Sequence, residues 1–191
     1  MAWEKENRRK QHKKRGNQRV IYFTSDLHLG HRGIITMQNR PFKTVEEMNR
    51  ILIQNFNACV GKGDTVCILG DICHHMPVEA ANDTISSLHG TKYLVKRNHD
   101  KKYAEGLFED ICDFKVISLN GEAIVLMHYP MMSWPKSRRG SIHLHGHIHA
   151  DSNYNWRNKE QGIKRYDVGV DANNFVPISI KQILQFYSTD N

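Results

Sequence analysis

Short hydrophobic runs recur through the first half of the chain, and polar residues follow each of them. Residues 20–25, 65–69 and 92–96 are rich in β-branched and aromatic side chains, which is the pattern of buried strands. A capping box at Thr44 opens a stretch with apolar residues at helical spacing, and a second helix is predicted over residues 77–88. Strands that alternate with helices favour a parallel or mixed sheet.

The second half of the chain has a more antiparallel pattern. The Asn-Gly pair at residues 120–121 separates two strand-like runs and is the strongest short hairpin signal that a sequence offers. Residues 141–144 and 166–170 predict further strands, and a capping box at Ser179 starts a final helix. We therefore expect a second sheet that is more antiparallel than the first.

The positive charge of the chain is concentrated at its N-terminus. The net charge is +7, and residues 1–19 alone hold eight basic and two acidic side chains, a balance of +6. A segment this polar cannot bury enough surface to fold alone. We expect a basic, flexible tail over residues 1–19 and one folded domain over residues 20–191. A solubilising extension is the first interpretation of the tail, and contact with nucleic acid is the alternative.

The composition is that of a soluble globular protein. Hydrophobic residues make up 39% of the chain, but no run of about 18 apolar residues could span a membrane. No apolar stretch follows the basic N-terminus, so no secretory signal is predicted. The four cysteines have no paired spacing, and we expect reduced thiols in a cytoplasmic protein.

Four histidines at positions 143, 145, 147 and 149 are spaced two residues apart. On an extended strand all four would point to the same side. Imidazoles make a poor hydrophobic core, because each ring nitrogen needs a partner when it is buried. This stretch alone leaves two interpretations open. Either it is a solvated strand face or holds a satisfied structural histidine, or His147 and His149 bind metal, with Gly146 allowing a close approach.

Other residues able to bind metal follow the predicted strands. Asp26 and His28 follow the first strand, Asp71 the second and Asn98 the third, while His128 follows the hairpin. In folds with parallel sheets, ligands gather outside the carboxyl ends of strands. Nitrogen and oxygen donors without a thiolate suit Mn²⁺, Fe or Zn²⁺ rather than a soft ion.

Taken in order, these residues form five blocks: Asp26-x-His28, Gly70-Asp71, Asn98-His99-Asp100, His128 and Gly146-His147-x-His149. Five such blocks in this order resemble the signature of the calcineurin-like metallophosphoesterase superfamily, and residues 19–187 resemble its small bacterial and phage-type members. The resemblance implies an α/β fold, a two-sheet β-sandwich flanked by helices. It also implies an enzyme that hydrolyses phosphomonoesters or phosphodiesters.

The resemblance further implies a role for each block. His99 would protonate the leaving group or bond to a phosphoryl oxygen, and Asp100 would orient His99 or cap a helix. Two divalent ions, Mn²⁺ first and Fe, Zn²⁺ or Ni²⁺ as alternatives, would supply a metal-bound hydroxide as the nucleophile. The implied metal ligands are Asp26, His28 and His149 for one ion, Asn98, His128 and His147 for the other, and Asp71 as a bridge.

Arg97 departs from the family pattern, which usually has glycine at this position. Glycine there permits a positive φ or a close approach of the backbone. Three interpretations are open: the loop tolerates arginine, Arg97 binds the substrate phosphate, or the second metal site is weakened. We favour the first. His31 and Arg40 are further candidates for contact with a substrate phosphate, and surface charge on a loop is their alternative interpretation.

A metal-dependent phosphoesterase is thus the function that the sequence predicts, with a phosphate ester as its substrate. Two alternatives remain. One is a nuclease that acts on DNA or RNA with help from the basic tail. The other is a catalytically inactive module that binds metal or phosphate, with Arg97 as the inactivating change.

Overall fold

The strands form two sheets in the computed structural model, which describes residues 19–97, 100, 103–104 and 106–188. The predicted ligand Asn98, the predicted catalytic residue His99 and residues 1–18 of the predicted tail lie outside the described residues. The described strands are β1 (Ile21–Thr24), β2 (Thr65–Ile68), β3 (Thr91–Val95), β4 (Asp110–Cys112), β5 (Lys115–Leu119), β6 (Glu122–Leu126), β7 (Ile142–His145), β8 (Arg165–Asp167) and β9 (Ile178–Ser179).

The first sheet has the order β4-β3-β2-β1-β9, and its strands β1 to β4 are parallel. The second sheet has the order β5-β6-β7-β8. Only its hairpin pair, β5 with β6, is antiparallel, because β6, β7 and β8 run parallel to one another. One of the three strand pairs in the second sheet is antiparallel, compared with one of four in the first sheet (β1 with β9), so the second sheet is only slightly more antiparallel than the first. The hairpin itself is confirmed, and Asn120 and Gly121 have the positive φ values, 52° and 85°, that its turn requires.

The described helices lie outside the sheets, and none of them is long and apolar enough to cross a membrane. The capping boxes at Thr44 and Ser179 are present, since each side-chain oxygen accepts from the backbone N–H three residues later. The carboxylate of Glu47, however, accepts from Lys43 rather than from Thr44. The helices are α1 (Arg32–Met37), α2 (Val45–Cys59), α3 (Val78–Ser87), α4 (Tyr154–Glu160) and α5 (Ile180–Ser188).

Two hydrophobic clusters lie on opposite faces of the first sheet. Side chains alternate along β1, so that Tyr22 joins one cluster and Phe23 the other. The first cluster packs the sheet against α2 and α3, through residues such as Leu52 and Ile85. The second packs it against the second sheet, through residues such as Leu144. This arrangement confirms the predicted α/β class, a two-sheet sandwich flanked by helices. The four cysteines, all among the described residues, form no disulfide.

Candidate metal centre

The loops that follow β1 and β2 are tied together where the predicted ligands lie. The backbone N–H of Asp26 donates to Gly70 O at 3.2 Å, and that of His28 donates to Asp71 O at 3.0 Å. Asp26, His28 and Asp71 all have positive φ values, of 57°, 50° and 53°. Non-glycine residues adopt this conformation at a cost of about 1–3 kcal/mol each, and such strain clusters at functional sites.

The loop after β7 brings the histidine stretch against Asp26. The backbone N–H of His147 donates to Asp26 Oδ2 at 2.9 Å. A Cβ on Gly146 would lie 2.6 Å from Ser25 Cβ and would overlap both Ser25 Oγ and Asp26 Oδ2, so only glycine fits here. This geometry agrees with the close approach that we expected at Gly146.

The four spaced histidines do not share one face, as a continuous strand would require. Strand β7 ends at His145, and His147 and His149 lie in the loop beyond it with φ values of 75° and 46°. His143 and His145 are buried and support the loops beside the centre. His143 Nε2 accepts from the backbone N–H of Met131, and His145 Nδ1 donates to Gly146 O at 2.8 Å. Burial lowers the pKa of His145 to about 3, so its ring is neutral.

His128 presents a ring nitrogen to Asp71. Its Nδ1 lies 2.6 Å from Leu69 O, and because a carbonyl only accepts, Nδ1 carries the proton. Nε2 is therefore a lone-pair donor, and it is buried 3.6 Å from Asp71 Oδ2. Gly70 makes room for this ring, since a Cβ there would lie 2.6 Å from His128 Nδ1.

His149 is oriented in the same way by Asp171, a residue that we did not predict. His149 Nδ1 lies 2.7 Å from Asp171 Oδ2, which leaves Nε2 for a ligand. Burial opposes protonation, but the bond to Asp171 and the charges of Asp26 and Asp171 raise the pKa of His149. Asp171 follows the predicted strand at residues 166–170, so the strand-end pattern used for the other ligands could have identified it.

Arg40 holds Asp171 in place and does not face a substrate. Its guanidinium donates to both carboxylate oxygens of Asp171, each at 2.8 Å, and to the carbonyl oxygens of Asp26 and Leu27. The side chain is wholly buried. The expectation that Arg40 contacts a substrate phosphate was therefore wrong, because all of its polar contacts lie inside the protein.

The donor atoms converge in two overlapping groups. Asp26, His28 and His149 place ligand atoms within 4.8 Å of one another, and so do Asp26, Asp71 and His128. The first group is the set predicted for one ion. The second group joins Asp26 to Asp71, the predicted bridge, and to His128. His147 is not in this group, but its ring lies 5.1 Å from the ring of His128, centroid to centroid.

Several of these atoms have no hydrogen-bond partner, although they are buried among the described residues. They are Asp26 Oδ1, both ring nitrogens of His28, and Nε2 of His128. Buried polar atoms without partners are rare in native proteins, and each calls for an explanation such as a bound ion. A convergent set of carboxylate oxygens and imidazole nitrogens without a thiolate fits divalent cations such as Mn²⁺, Fe²⁺ or Zn²⁺.

The electrostatics of the centre also favour a bound cation. Burial, with the nearby carboxylates of Asp167 and Asp71, raises the pKa of Asp26 to about 7, although His149 opposes the shift. Burial, followed by the charges of His149 and Arg40, lowers the pKa of His28 to about 2. A divalent cation would stabilise the ionised carboxylate and would bind the neutral imidazole.

Arg97 reaches the same carboxylate as the histidines. Its Nη1 lies 2.7 Å from Asp71 Oδ2, the oxygen that the His28 and His128 rings also face. Arg97 is not among the described residues with positive φ, so its backbone tolerates arginine without left-handed strain. Its backbone N–H donates to Asp100 Oδ2 at 2.7 Å. Asp100 thus holds the backbone of Arg97, and burial raises the pKa of the Asp100 carboxyl.

His31 lies at the edge of the centre. Its ring is 5.4 Å from the ring of His28, centroid to centroid, and it is half-buried. Burial lowers the pKa of His31, and His74 and His75 lower it further. The ring is therefore close enough to the centre to reach a ligand bound there, and its contact with a substrate stays a prediction.

The chain is similar to small proteins from an archaeon and from a phage, but no protein-family model matches it. It is 36% identical over 170 residues to the uncharacterized protein MJ1445 of Methanocaldococcus jannaschii, covering 87% of this chain and 90% of that protein. It is 31% identical over 160 residues to the Gene 66 protein of Mycobacterium phage L5, covering 68% of this chain and 77% of that protein.

Among solved structures, the protein of unknown function AQ665 from Aquifex aeolicus superposes with a TM-score of 0.71 at 27% sequence identity. The match covers 88% of this chain and 100% of that chain. Yfce, a phosphoesterase from E. coli, gives a TM-score of 0.40 at 15% identity, covering 78% of this chain and 77% of that chain.

Proposed function

The chain belongs to the family of MJ1445 and the phage Gene 66 protein. We propose that it is a metal-dependent phosphoesterase of the calcineurin-like superfamily, which its sequence motifs resemble. It hydrolyses phosphomonoesters or phosphodiesters at a dinuclear metal centre. The observation that carries the proposal is the convergence of buried, unpartnered ligand atoms from Asp26, His28 and His128 where several strands end.

The residues of the chain divide between the two proposed ions. Asp26, His28 and His149 would hold one, and His128 and His147, with Asn98, the other. Two divalent cations bound here, Mn²⁺ first with Fe, Zn²⁺ or Ni²⁺ as alternatives, would lower the pKa of a bound water and offset charge on the phosphoryl oxygens. Asp71 would help to hold both ions.

The surrounding residues prepare these ligands before any ion binds. The Leu69 carbonyl and the Asp171 carboxylate fix the protonation of His128 and His149, so that Nε2 of each ring is the lone-pair donor. Such hydrogen-bonded partners commonly change metal affinity or activity by about 10–100-fold. Two divalent cations against two carboxylates leave a positive centre, which attracts an anionic ester.

His99 completes the proposal as the proton donor to the leaving alkoxide, and Asp100 positions the loop that carries it. His99 lies outside the described residues, so its role follows from the family pattern. His99→Ala should keep both metals and lose most of its turnover. Unchanged turnover would remove His99 from the mechanism.

The test is hydrolysis by the full chain after removal and return of metals. Bis(p-nitrophenyl) phosphate and p-nitrophenyl phosphate are suitable chromogenic substrates, with elemental analysis of each sample. Asp71→Asn should lose metal and at least about 10²-fold in turnover. Asp151→Asn is the matched control, because Asp151 is exposed in an ion pair with Arg157. A wild-type chain that binds metal and hydrolyses neither substrate would be the inactive binding module instead.

The charge of the tail supports a second candidate, a nuclease of the same superfamily. Eight basic side chains within residues 1–19 could bind phosphates of DNA or RNA in a salt-dependent way. Deletion of residues 1–19 should then weaken nucleic-acid binding and flatten its dependence on salt. Hydrolysis of the small esters should not change. Equal binding with and without the tail would leave no support for the nuclease.

A further inference from the structure

Three histidines form a separate cluster beside the metal centre. His31 precedes α1, while His74 and His75 lie in the loop after β2. Their ring centroids are 4.2 Å apart for His31 and His74, 4.1 Å for His74 and His75, and 5.4 Å for His31 and His75. We call these residues the three-histidine cluster. None of them was assigned to a metal above.

The backbone fixes the two loops that carry the cluster. The N–H of His74 donates to Leu29 O at 2.8 Å, and Leu29 and Cys73 form a parallel β-bridge. Gly30 has a φ of +86°, and a Cβ there would lie 2.7 Å from His74 O, so the loops meet only because this residue is glycine. His75 has a left-handed φ of 53°. The histidines are therefore held together by strained, tightly packed backbone rather than by chance contact of long side chains.

The donor atoms of the cluster are within reach of one ion. One ring nitrogen from each histidine lies within 4.8 Å of the others. Nδ1 of His31 is buried and has no hydrogen-bond partner among the described residues. Three imidazoles bound to one Zn²⁺ at about 2.0–2.1 Å would have nitrogens about 3.4 Å apart, so each pair of nitrogens needs to approach by at most about 1.4 Å. The exposed side chain of His75 can make this adjustment.

We propose that the three-histidine cluster is a metal site in its own right, which binds a borderline divalent cation of the Zn²⁺ class beside the two ions of the phosphoesterase centre. Imidazole nitrogens alone select Zn²⁺, Ni²⁺ or Cu²⁺ over Mg²⁺ and Ca²⁺, which prefer oxygen ligands. The nearest ligand ring of the centre is that of His28, 5.4 Å from the His31 ring and 5.9 Å from the His74 ring. The cluster shares no ligand with the centre.

The test counts Zn²⁺ on the metal-depleted full chain, by titration against a chromophoric chelator and by elemental analysis after dialysis. His75→Ala should bind one equivalent fewer than wild type, and so should His31→Ala. His89→Ala is the control, because the His89 ring bonds to Val60 O away from both sites. An unchanged count in His75→Ala, or an equal loss in His89→Ala, would overturn the proposal. His75 is exposed, so loss of the fold does not explain a lower count.

A second comparison separates this site from the phosphoesterase centre. In an Asp71→Asn background the total count should fall, but His75→Ala should still remove one further equivalent. If the wild type hydrolyses no ester, but His75→Ala binds one Zn²⁺ fewer than the wild type, the proposed function is refuted and the metal site at the three-histidine cluster is supported. If the wild type hydrolyses esters and His75→Ala binds as much Zn²⁺ as the wild type, the metal site at the cluster is refuted and the proposed function is supported.

Discussion

One added methyl group at Gly146 should disable the metal centre. Its Cβ would lie 2.6 Å from Ser25 Cβ and closer still to Ser25 Oγ and Asp26 Oδ2, and ordinary contact begins at 3.4 Å, so the two loops must separate by at least about 0.8 Å. The neighbours cannot easily move. Ser25 Oγ donates to Leu69 O at 2.6 Å, and Asp26 Oδ2 accepts from His147 N–H at 2.9 Å. Asp26 and Ser25 are both fully buried.

The size of the effect follows from this overlap. Overpacking of a buried site costs about 1–3 kcal/mol in the free energy of unfolding. A displacement near 1 Å at a catalytic group costs about 10²-fold in turnover. We therefore expect Gly146→Ala to lose about 2–3 kcal/mol of stability and to lose metal affinity and turnover together, because Asp26 belongs to both ligand groups.

Urea denaturation of the metal-depleted chain and titration with Mn²⁺ measure the two effects separately. Gly63→Ala is the matched control, since nothing lies within 4 Å of a Cβ at that position. The control should be as stable as wild type or slightly more stable, because alanine restricts the unfolded chain. If Gly146→Ala matched Gly63→Ala in stability and in Mn²⁺ affinity, the close approach of the loops would not matter to the centre.

Three further predictions concern charged and titrating side chains. Arg40→Met removes the guanidinium from the carboxylate of Asp171, which then keeps only His149 as a partner, and should lose about 3–5 kcal/mol in urea denaturation. Arg157→Met, in an exposed ion pair, should change the stability little. Arg97→Gly removes a cation from Asp71 and should bind its second Mn²⁺ more tightly by calorimetric titration; equal affinity would mean that the arginine moves aside. Burial lowers the pKa of His143 below 6.5. The imidazole of the unfolded chain therefore binds a proton more readily than that of the folded chain, and the folded protein loses stability as the pH falls below 6.5. Between about pH 7 and 5, the free energy of unfolding of metal-free His143→Gln should therefore fall less than that of the wild type, by at most about 1.4 kcal/mol per pH unit. Equal pH dependence of the two proteins in urea denaturation would contradict this.

Elements with strong local signals were predictable from the sequence. The apolar stripe of α2 and the Asn-Gly turn after β5 each combine a periodic pattern with a turn or cap residue. The elements that we missed lack such signals. Helices α1 and α4 have six and seven residues and no side-chain cap, and β4 has three residues at the sheet edge. Their structure depends on contacts with the rest of the fold, which a local pattern does not contain.

Much of the candidate site was predictable because its residues follow strands whose ends meet at one edge. The error at Arg40 has a different origin. Its partner Asp171 is 131 residues away, and the sequence does not show that a basic residue near the first motif is neutralised from so far along the chain. Asp167, whose charge acts on Asp26, was missed because it lies inside a predicted strand rather than after one. It is a buried carboxyl, and burial raises its pKa to about 6.

The backbone at the centre shows why these residue types occur where they do. Asp26, His28, Asp71, His147 and His149 all have φ between 46° and 75°. Glycine would adopt these turns without strain, whereas each of these residues costs about 1–3 kcal/mol. The turns alone therefore do not select aspartate and histidine. Backbone hydrogen bonds between the loops hold the strained residues in place, and a cation bound by their side chains would stabilise the same conformation. Five strained non-glycine residues around one cluster of buried donor atoms are thus best explained by what the side chains bind.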